Sequence, residues 1–278
     1  MRTWNDIWPA PAKLNLFLHV IGRRADGYHL LQTVFRFIDY ADFLRFEPRS
    51  DRKIILAQPL SGVAPETDLT VRAAIALQNV TGIDKGATIH LDKRLPMGGG
   101  LGGGSSDAAT TLIALNQLWD TGLDSPTLQR IGLTLGADVP IFIHGHTAFA
   151  EGVGERFTDV TTPADWYLVL VPPVAVPTPI IFRSAELRRD TTAIAAIDWQ
   201  PGFGGNDLEP VACRLYPAVA HHLEFLRRFG DARMSGSGAC CFVAFPDQPA
   251  AEAAFATRPT NMHGFVARGL DHHPLCSE

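Results

Sequence analysis

The chain has 278 residues, of which 46% are hydrophobic and 19% are charged, and its formal net charge at pH 7 is −5. Such values are typical of a folded protein of one large or two modest domains, and they exclude a largely disordered chain. The negative net charge provides no general attraction to nucleic acid or to anionic membranes. We therefore expect a small-molecule partner, with no nucleic acid, no membrane and no obligate protein partner.

The cysteines and the apolar segments indicate the cellular compartment. The four cysteines show no C-x-x-C spacing, which argues against a disulfide framework or a zinc ribbon and fits a reducing cytosol. The N-terminus has no apolar core of the signal-peptide type. The uncharged stretch 166–182 contains four prolines, so it predicts a strand leading into a loop rather than a membrane span. We expect a cytoplasmic protein.

In the first half of the chain, residues 12–22 alternate leucine and valine with other side chains, as a strand with two distinct faces does. Thr67 or Asp68 is placed to cap a helix. The later pattern predicts strands over 25–48 with breaks at 26–27 and 40–42, a helix over 69–77, a strand over 87–95, helices over 105–119 and 127–135, and a hairpin over 147–157.

The second half restarts the pattern after a polar segment. It predicts a strand over 167–171, a proline-rich loop, a helix over 208–229, a strand over 240–245, a helix over 250–257 and a strand over 265–267. Because strands and helices mix without a strict βαβ rhythm, the predicted class is α+β. We place a domain boundary near residue 160, giving domains 1–160 and 161–278.

The stretch "LPMGGGLGGGSSDAATTLIALNQLW", residues 95–119, places six glycines within seven positions, directly before two serines and an apolar helical pattern. A flexible linker would not require a strand before it or helix-capping residues after it, which Ser105, Ser106 and Asp107 are expected to supply. Gly98, Gly100 and Gly103 fit G-x-G-x-x-G, but a turn and a helix follow where a dinucleotide site needs a second strand ending in an acidic residue. A Walker loop would require a lysine before the serines.

A glycine-rich turn that leads into a helix N-terminus is suited to an anion. Residues without side chains let backbone N–H groups approach a polyphosphate, and the helix dipole adds about half a positive charge. The hydroxyls of Ser105 and Ser106 can bind a phosphate or a metal ion. We therefore predict that this loop binds a polyphosphate.

Four blocks of sequence together resemble one enzyme family, the GHMP kinases, which include galactokinase, homoserine kinase and mevalonate kinase. They are "PAKLNLFLHVIGRRADGYHLLQTVF", "LPMGGGLGGGSS", "LTLGADVPIFIHG" and "ARMSGSGACCFVAF", in the order expected for the family and spread over nearly the whole chain. "PAKLNLFL" followed by "RADGYH" resembles those members that act on an alcohol linked to cytidine diphosphate.

The resemblance implies a two-domain α+β fold with the active site in the cleft between the domains. It implies ATP-dependent phosphorylation of a hydroxyl on a CDP-linked methylerythritol, in the non-mevalonate route to isoprenoid precursors. Two alternatives stay open: a GHMP kinase for another alcohol, such as phosphomevalonate or homoserine, and a non-catalytic nucleotide-binding protein.

The resemblance also implies catalytic residues. Asp138 in "GADVP" is the expected base, although an aspartate before Val139-Pro140 also suits a helix N-cap. Lys13 in "PAKLN" is its expected partner, because an ammonium nearby lowers the pKa of the attacking hydroxyl. Asn15 would hydrogen-bond the acceptor alcohol. Direct in-line transfer without a phosphoenzyme is expected.

Tyr28 and His29 match the family's cytosine site, since a tyrosine ring can stack on a base and a histidine can read the base edge. Phe182 is the expected second face of this sandwich, and Thr178 in the same loop is a further candidate substrate contact. Ser235–Ala239 resembles a family loop near the transferred phosphate. The tyrosine–histidine pair favours a cytidine substrate over phosphomevalonate or homoserine.

The expected ATP contacts are in the glycine loop and at two residues outside it. Asp68 lies where the family usually has asparagine, and an aspartate cannot donate to an adenine ring nitrogen. The role of Asp107, at the start of the predicted helix, is left open. The full set is Pro96, Met97, Gly98, Gly99, Gly100, Leu101, Gly102, Gly103, Gly104, Ser105, Ser106, Asp68 and Lys93.

The histidines do not form a metal-binding pattern. The pairs 144/146, 221/222 and 272/273 lack both the i, i+4 helical spacing and the cysteine partners of a zinc site, so we expect them at the surface. No protein metal site is predicted. Mg²⁺ is expected with ATP, keeping most of its waters.

Overall fold

The computed structural model describes residues 2–276, within which there are ten strands and eight α-helices. The strands are β1 Trp8–Arg23, β2 His29–Arg49, β3 Ile54–Leu56, β4 Gly86–Asp92, β5 Ala148–Glu151, β6 Arg156–Asp159, β7 Trp166–Val171, β8 Arg233–Met234, β9 Cys241–Phe245 and β10 His263–Leu270. The helices are α1 Leu69–Thr81, α2 Gly103–Leu118, α3 Ser125–Leu135, α4 Val139–His144, α5 Thr178–Arg183, α6 Glu209–Leu215, α7 Pro217–Leu226 and α8 Gln248–Ala256. The α+β class is confirmed.

The strands form one connected sheet with β2 at its centre. Its main path runs β3-β4-β2-β10-β7-β9-β8, while β1 and β5 also pair with β2, and β6 pairs with β5. The 21-residue β2 pairs antiparallel with β1, β4, β5 and β10 along different parts of its length. One strand therefore connects the halves of the sheet.

The expected break at residues 40–42 is wrong, because β2 continues through it. The pairing steps from Pro11 opposite Ala41 to Ala12 opposite Ile38, so β2 has two more residues than β1 between these pairs. Such a bulge bends a strand without ending its ladder. The polar residues that suggested a turn instead mark this bend.

Two further expectations about helices are corrected. The single helix predicted over 208–229 is two helices, α6 and α7, that meet at Tyr216 and Pro217. A proline inside a helix lacks the N–H of the i→i−4 bond and clashes with the preceding turn, so it begins α7 instead. The predicted proline-rich loop contains the short helix α5, with prolines at or near its start.

Two large hydrophobic clusters flank the sheet. In one, α1 to α4 cover strand residues such as Phe37 and Phe46, and in the other, α5 to α8 cover β7 and β9. Strand β1 contributes Trp8 to the first cluster and Leu18 and Val20 to the second. In residues 2–276, no helix has the length and apolar character needed to cross a bilayer.

Helices α3 and α4 approach each other closely at a glycine. A Cβ added to Gly132 would lie 2.8 Å from Val139 Cγ1 and 3.0 Å from Ile143 Cδ1. The side chains of α4 therefore occupy the space that any larger residue at position 132 would need.

We expect Gly132→Ala to lower the free energy of unfolding by about 1–2 kcal/mol, because overpacking a core outweighs the roughly 1 kcal/mol by which alanine favours a helix. Urea denaturation measures the change. Gly205→Ala is the control, since its Cβ would have no heavy atom within 4 Å outside its chain neighbours. A stabilised Gly132→Ala protein would contradict the described packing of α3 on α4.

Candidate active site

The glycine stretch forms a loop that turns directly into α2. Gly98, Gly100 and Gly102 have φ angles of 67°, 76° and 74°, a left-handed conformation that side chains disfavour. Helix α2 begins at Gly103 with Gly102 as its N-cap, so the expectation that the serines cap it is wrong. Ser105 and Ser106 lie in the first helical turn, and a glycine can occupy the cap because it accepts the left-handed turn.

The protein itself requires two of these glycines. A Cβ on Gly100 would lie 2.1 Å from the carbonyl oxygen of Ser235, and one on Gly102 would lie 2.8 Å from the Phe142 ring. A Cβ on Gly98 would meet nothing within 4 Å. Gly100 and Gly102 are therefore needed because the loop packs closely against the rest of the protein. This reason is separate from the one that the sequence suggested, which was the approach of an anion to the backbone.

Lys13 and Asp138 lie together beneath the glycine loop. The Lys13 ammonium donates to Asn15 Oδ1 at 2.6 Å and to the Gly100 carbonyl at 3.0 Å, and it is 3.2 Å from Asp138 Oδ2. Lys13 is buried, whereas the Asp138 side chain is 37% exposed. The lysine is thus held by three oxygens, and the carboxylate also faces open space.

Asp138 is the N-cap residue of α4, but its side chain makes no capping hydrogen bond. Its oxygen Oδ2 is directed at Lys13 instead. A purely structural role as a helix cap would therefore explain the position of Asp138 before α4, but it would not explain why the carboxylate faces Lys13.

Asn15 is fixed on both sides of its amide. Its Oδ1 accepts from Lys13, and its Nδ2 donates to Thr33 Oγ1 at 2.9 Å. Its backbone N–H donates to Ser235 Oγ at 3.2 Å, and Ser235 Oγ donates to the Gly100 carbonyl at 2.9 Å. A side chain from the loop before β9 therefore connects β1 to the glycine loop.

A cavity of about 800 Å³ joins half of the predicted site residues, including all those expected to be catalytic or to contact the substrate. Its lining comes from β1 and β2, from the glycine loop and from the loops and helix ends around them. Among the predicted residues it includes Lys13, Asn15, Tyr28, His29, Gly98, Gly100, Ser105, Asp138, Thr178 and Phe182. The cavity runs from the lysine–carboxylate pair to an aromatic end, so both can contact one elongated molecule.

At the aromatic end, the ring of His29 packs against Phe182 with centroids 4.8 Å apart and planes at 32°. Tyr28 is 63% exposed. Thr178 Oγ1 is hydrogen-bonded to Ser237 Oγ at 2.7 Å. Phe182 therefore faces His29 in this structure, while Tyr28 has an open ring face.

Two residues expected at the nucleotide have structural partners. The carboxylate of Asp68 is the N-cap of α1 and accepts from the backbone N–H groups of Thr70 and Val71. The Lys93 ammonium is 2.5 Å from Asp42 Oδ2 and 2.7 Å from Asp107 Oδ2. Neither residue lines the cavity described above.

The three charges form a buried cluster, the Asp42–Lys93–Asp107 network, behind the glycine loop. Burial raises the pKa of Asp107; the charge of Lys93 opposes this rise, and the charge of Asp42 adds to it. Burial tends to lower the pKa of Lys93, but the two carboxylates more than offset this and raise it. The open question about Asp107 is thus answered by its position: it faces Lys93.

Several residues that hold the site were not predicted. Asn206 Nδ2 donates to the carbonyls of Met234 and Gly236, at 2.7 and 2.8 Å, and so holds the 235–239 loop. Phe35 lies beneath Lys13, with the ammonium 5.3 Å from the ring centroid. Ser235, by contrast, lies in the loop 235–239 that the resemblance places near the transferred phosphate, whereas no local pattern marks Asn206 or Phe35.

The expectation that the paired histidines lie at the surface is wrong for two of them. His222 and His273 are 4% and 0% exposed. Burial lowers the pKa of His273 to about 3, so it is neutral near pH 7. Among residues 2–276, no group of three or more histidine, cysteine or acidic side chains is arranged to hold a metal ion.

Known proteins resemble this chain over nearly its full length. The family models "GHMP kinases N terminal domain" and "GHMP kinases C terminal" match residues 68–146 and 186–262. A 4-diphosphocytidyl-2-C-methyl-D-erythritol kinase of Dechloromonas aromatica is 63% identical over 97% of this chain and 98% of that protein. A protein of the same name from Thiobacillus denitrificans is 57% identical over 98% of this chain and 98% of that protein.

Solved structures of related proteins superpose on nearly the whole chain. A crystal structure of 4-(cytidine 5'-diphospho)-2C-methyl-D-erythritol kinase superposes with a TM-score of 0.78 at 35% identity, covering 95% of this chain and 99% of that one. A mevalonate kinase superposes with a TM-score of 0.70 at 14% identity, covering 96% and 100%, which shows a shared fold.

We expect Lys93→Met to lower the free energy of unfolding by about 3 kcal/mol, because it leaves two buried carboxylates without their cation. Adding Asp107→Asn to the same protein should recover part of the loss. Denaturant unfolding measures both. If instead stability is unchanged and only the KM for ATP rises, Lys93 acts at the nucleotide, as the sequence predicted.

Proposed function

The chain belongs to the GHMP kinase family, and we propose that it transfers the γ-phosphate of ATP to a hydroxyl of 4-diphosphocytidyl-2-C-methyl-D-erythritol. The products are the 2-phosphate and ADP, in the non-mevalonate route to isoprenoid precursors. The observation that carries this proposal is the single cavity that joins the Lys13–Asp138 pair to the His29–Phe182 end. The names of the relatives at 63% and 57% identity support the same substrate.

On the ATP side, the glycine loop and the N-terminus of α2 supply the binding groups. Backbone N–H groups at a helix start favour anions through both their hydrogen bonds and the helix dipole. Gly98, where a Cβ would meet open space, has bare backbone facing outward and lines the cavity. We assign the triphosphate to this edge, and Pro96–Ser106 remain its proposed contacts.

The residues beside the loop fit a magnesium ion that arrives with ATP. Ser106 Oγ is buried and has no hydrogen-bond partner among the described residues, and Asp138 provides a carboxylate. Hydroxyl and carboxylate oxygens are the ligands that Mg²⁺ prefers. Ser106 would hold the ion directly and Asp138 through the waters that the ion keeps, and the ion when bound would neutralise charge on the phosphates.

Lys13 and Asp138 prepare the acceptor alcohol. In the proposed reaction the Asp138 carboxylate accepts the hydroxyl proton, the hydroxyl oxygen bonds to the γ-phosphorus, and the bond to ADP breaks with its electrons on ADP. Lys13 stabilises the negative charge that develops on that oxygen. Because Asn15 and the Gly100 carbonyl hold the ammonium, it needs little reorganisation during the step.

The aromatic end distinguishes this substrate from those of other family members. Tyr28, His29 and Phe182 offer ring faces and a ring nitrogen to a pyrimidine. Phosphomevalonate and homoserine carry no base that would use them. ADP release with the CDP-linked alcohol, mevalonate, phosphomevalonate and homoserine, measured in parallel, tests the assignment, and preference for any of the last three would overturn it.

Two broader proposals accompany the reaction. All core residues of the first cluster precede residue 160, and all but Leu18 and Val20 of the second follow it. This supports a boundary near residue 160, with the site in the cleft between domains 1–160 and 161–278. The four unpaired cysteines support action in the reducing cytoplasm.

We expect Asp138→Asn to lower kcat by ~10² or more while ATP still binds, because an amide cannot accept the hydroxyl proton. Turnover by steady-state kinetics and ATP binding by calorimetry measure the two effects. Asp159→Asn is the control, since Asp159 pairs with His144 outside the cavity. Near-normal turnover of Asp138→Asn would remove this residue from the mechanism.

Tyr28→Ala should raise the KM for the CDP-linked alcohol about tenfold and leave kcat nearly unchanged, because base–aromatic stacking contributes about 1–3 kcal/mol to binding. Ile197→Ala is the control: Ile197 is 86% exposed and lies outside the cavity. An unchanged KM for Tyr28→Ala would show that the base does not stack on this ring.

A further inference from the structure

Arg189 connects the two sides of the aromatic end. Its Nε–H donates to His29 Nε2 at 3.1 Å. Its Nη2 donates to the carbonyls of Phe182 and Ser184, at 2.9 and 2.7 Å, and its Nη1 donates to the carbonyl of Leu187 at 2.9 Å. One guanidinium therefore holds the ring of His29 and the backbone that carries Phe182.

This contact determines the protonation pattern of His29. An arginine has only donors, so the nitrogen that it faces must accept. In a neutral imidazole the other nitrogen then carries the proton. His29 consequently has a donor at Nδ1 and no free acceptor, because Nε2 is occupied by Arg189.

A ring fixed in this way can distinguish two pyrimidines. Cytosine has acceptors at O2 and N3 and an amino donor at C4, whereas uracil has a donor at N3. A site that offers a donor to N3 satisfies cytosine and leaves two donors facing each other with uracil. A buried polar group without a partner lowers affinity strongly.

We propose that Arg189 is a positioning residue that fixes His29 as a donor through Nδ1 and thereby selects a cytosine-linked substrate over a uracil-linked one. This inference rests on the proposed function, because it assumes a pyrimidine at the His29–Phe182 end. It deepens that function by naming the group that sets the preference between the two bases.

The surroundings of His29 also favour the neutral form of its ring. Burial lowers the pKa of His29, and the positive charges of Arg189 and Arg23 lower it further. Arg183 and Asp26 also line this part of the cavity. A lowered pKa keeps the ring neutral to a pH below the usual value, so Nε2 stays available as an acceptor for Arg189.

The test compares Arg189→Gln with Arg188→Gln. Arg188 is the adjacent arginine, is 62% exposed and pairs with Asp190, so it is a matched control. The substrates are the CDP-linked alcohol and its UDP-linked analogue. For Arg189→Gln we expect the ratio of their kcat/KM values to fall about tenfold, through a raised KM for the CDP-linked alcohol, with kcat within about twofold. Arg188→Gln should match the unsubstituted protein.

A pH profile and a spectrum add readouts that a purely structural role would not move. Loss of the Arg189 charge raises the pKa of His29, so the titration of the His29 ring, followed by NMR, should shift to higher pH in Arg189→Gln. The ¹⁵N spectrum of the unsubstituted protein, assigned with His29→Gln, should show the proton of His29 on Nδ1. A proton on Nε2 would overturn the proposal.

The outcomes separate this inference from the proposed function. If the unsubstituted protein does not phosphorylate the CDP-linked alcohol, the proposed function fails. If it does, but Arg189→Gln raises the KM for both substrates equally and keeps the preference, then Arg189 only holds the loop and the inference fails.

Discussion

The burial of the Lys13 ammonium is the constraint on which the rest of the site depends. A charge removed from water must be compensated by close oxygens, and here these come from β1, the glycine loop and the residue before α4. Each of these elements has to be in place for the lysine to be stable inside the protein. The same requirement places the Asp138 carboxylate at the cavity, so one interaction serves both the fold and the proposed chemistry.

Much of this arrangement could be predicted from the sequence. The alternation over residues 12–22 identified β1, and the glycines before an apolar helical pattern identified the loop and α2, because both signals are local. Lys13 and Asp138 came from the family resemblance, since a lone lysine in a strand and an aspartate before Val-Pro have common structural explanations. Their closeness required the fold.

The remainder depends on contacts between residues far apart in the chain. Asp42 and Asp107 meet Lys93 across 51 and 14 positions, and Arg189 meets His29 across 160. No periodicity encodes such pairs. The bulge in β2 was predicted as a break in the strand for a related reason. Polar residues are common in both turns and bulges, and only the pairing with the partner strand distinguishes the two.

The division of β1 between two hydrophobic clusters limits how the chain can be recombined. Leu18 and Val20 belong by sequence to the first half, yet they pack with side chains of the second. In a chimaera of two relatives joined near residue 160, β1 would come from one relative and the side chains that pack on Leu18 and Val20 from the other. Exchange of the second half should therefore include the segment around residues 18–20, so that the two inherited surfaces stay complementary.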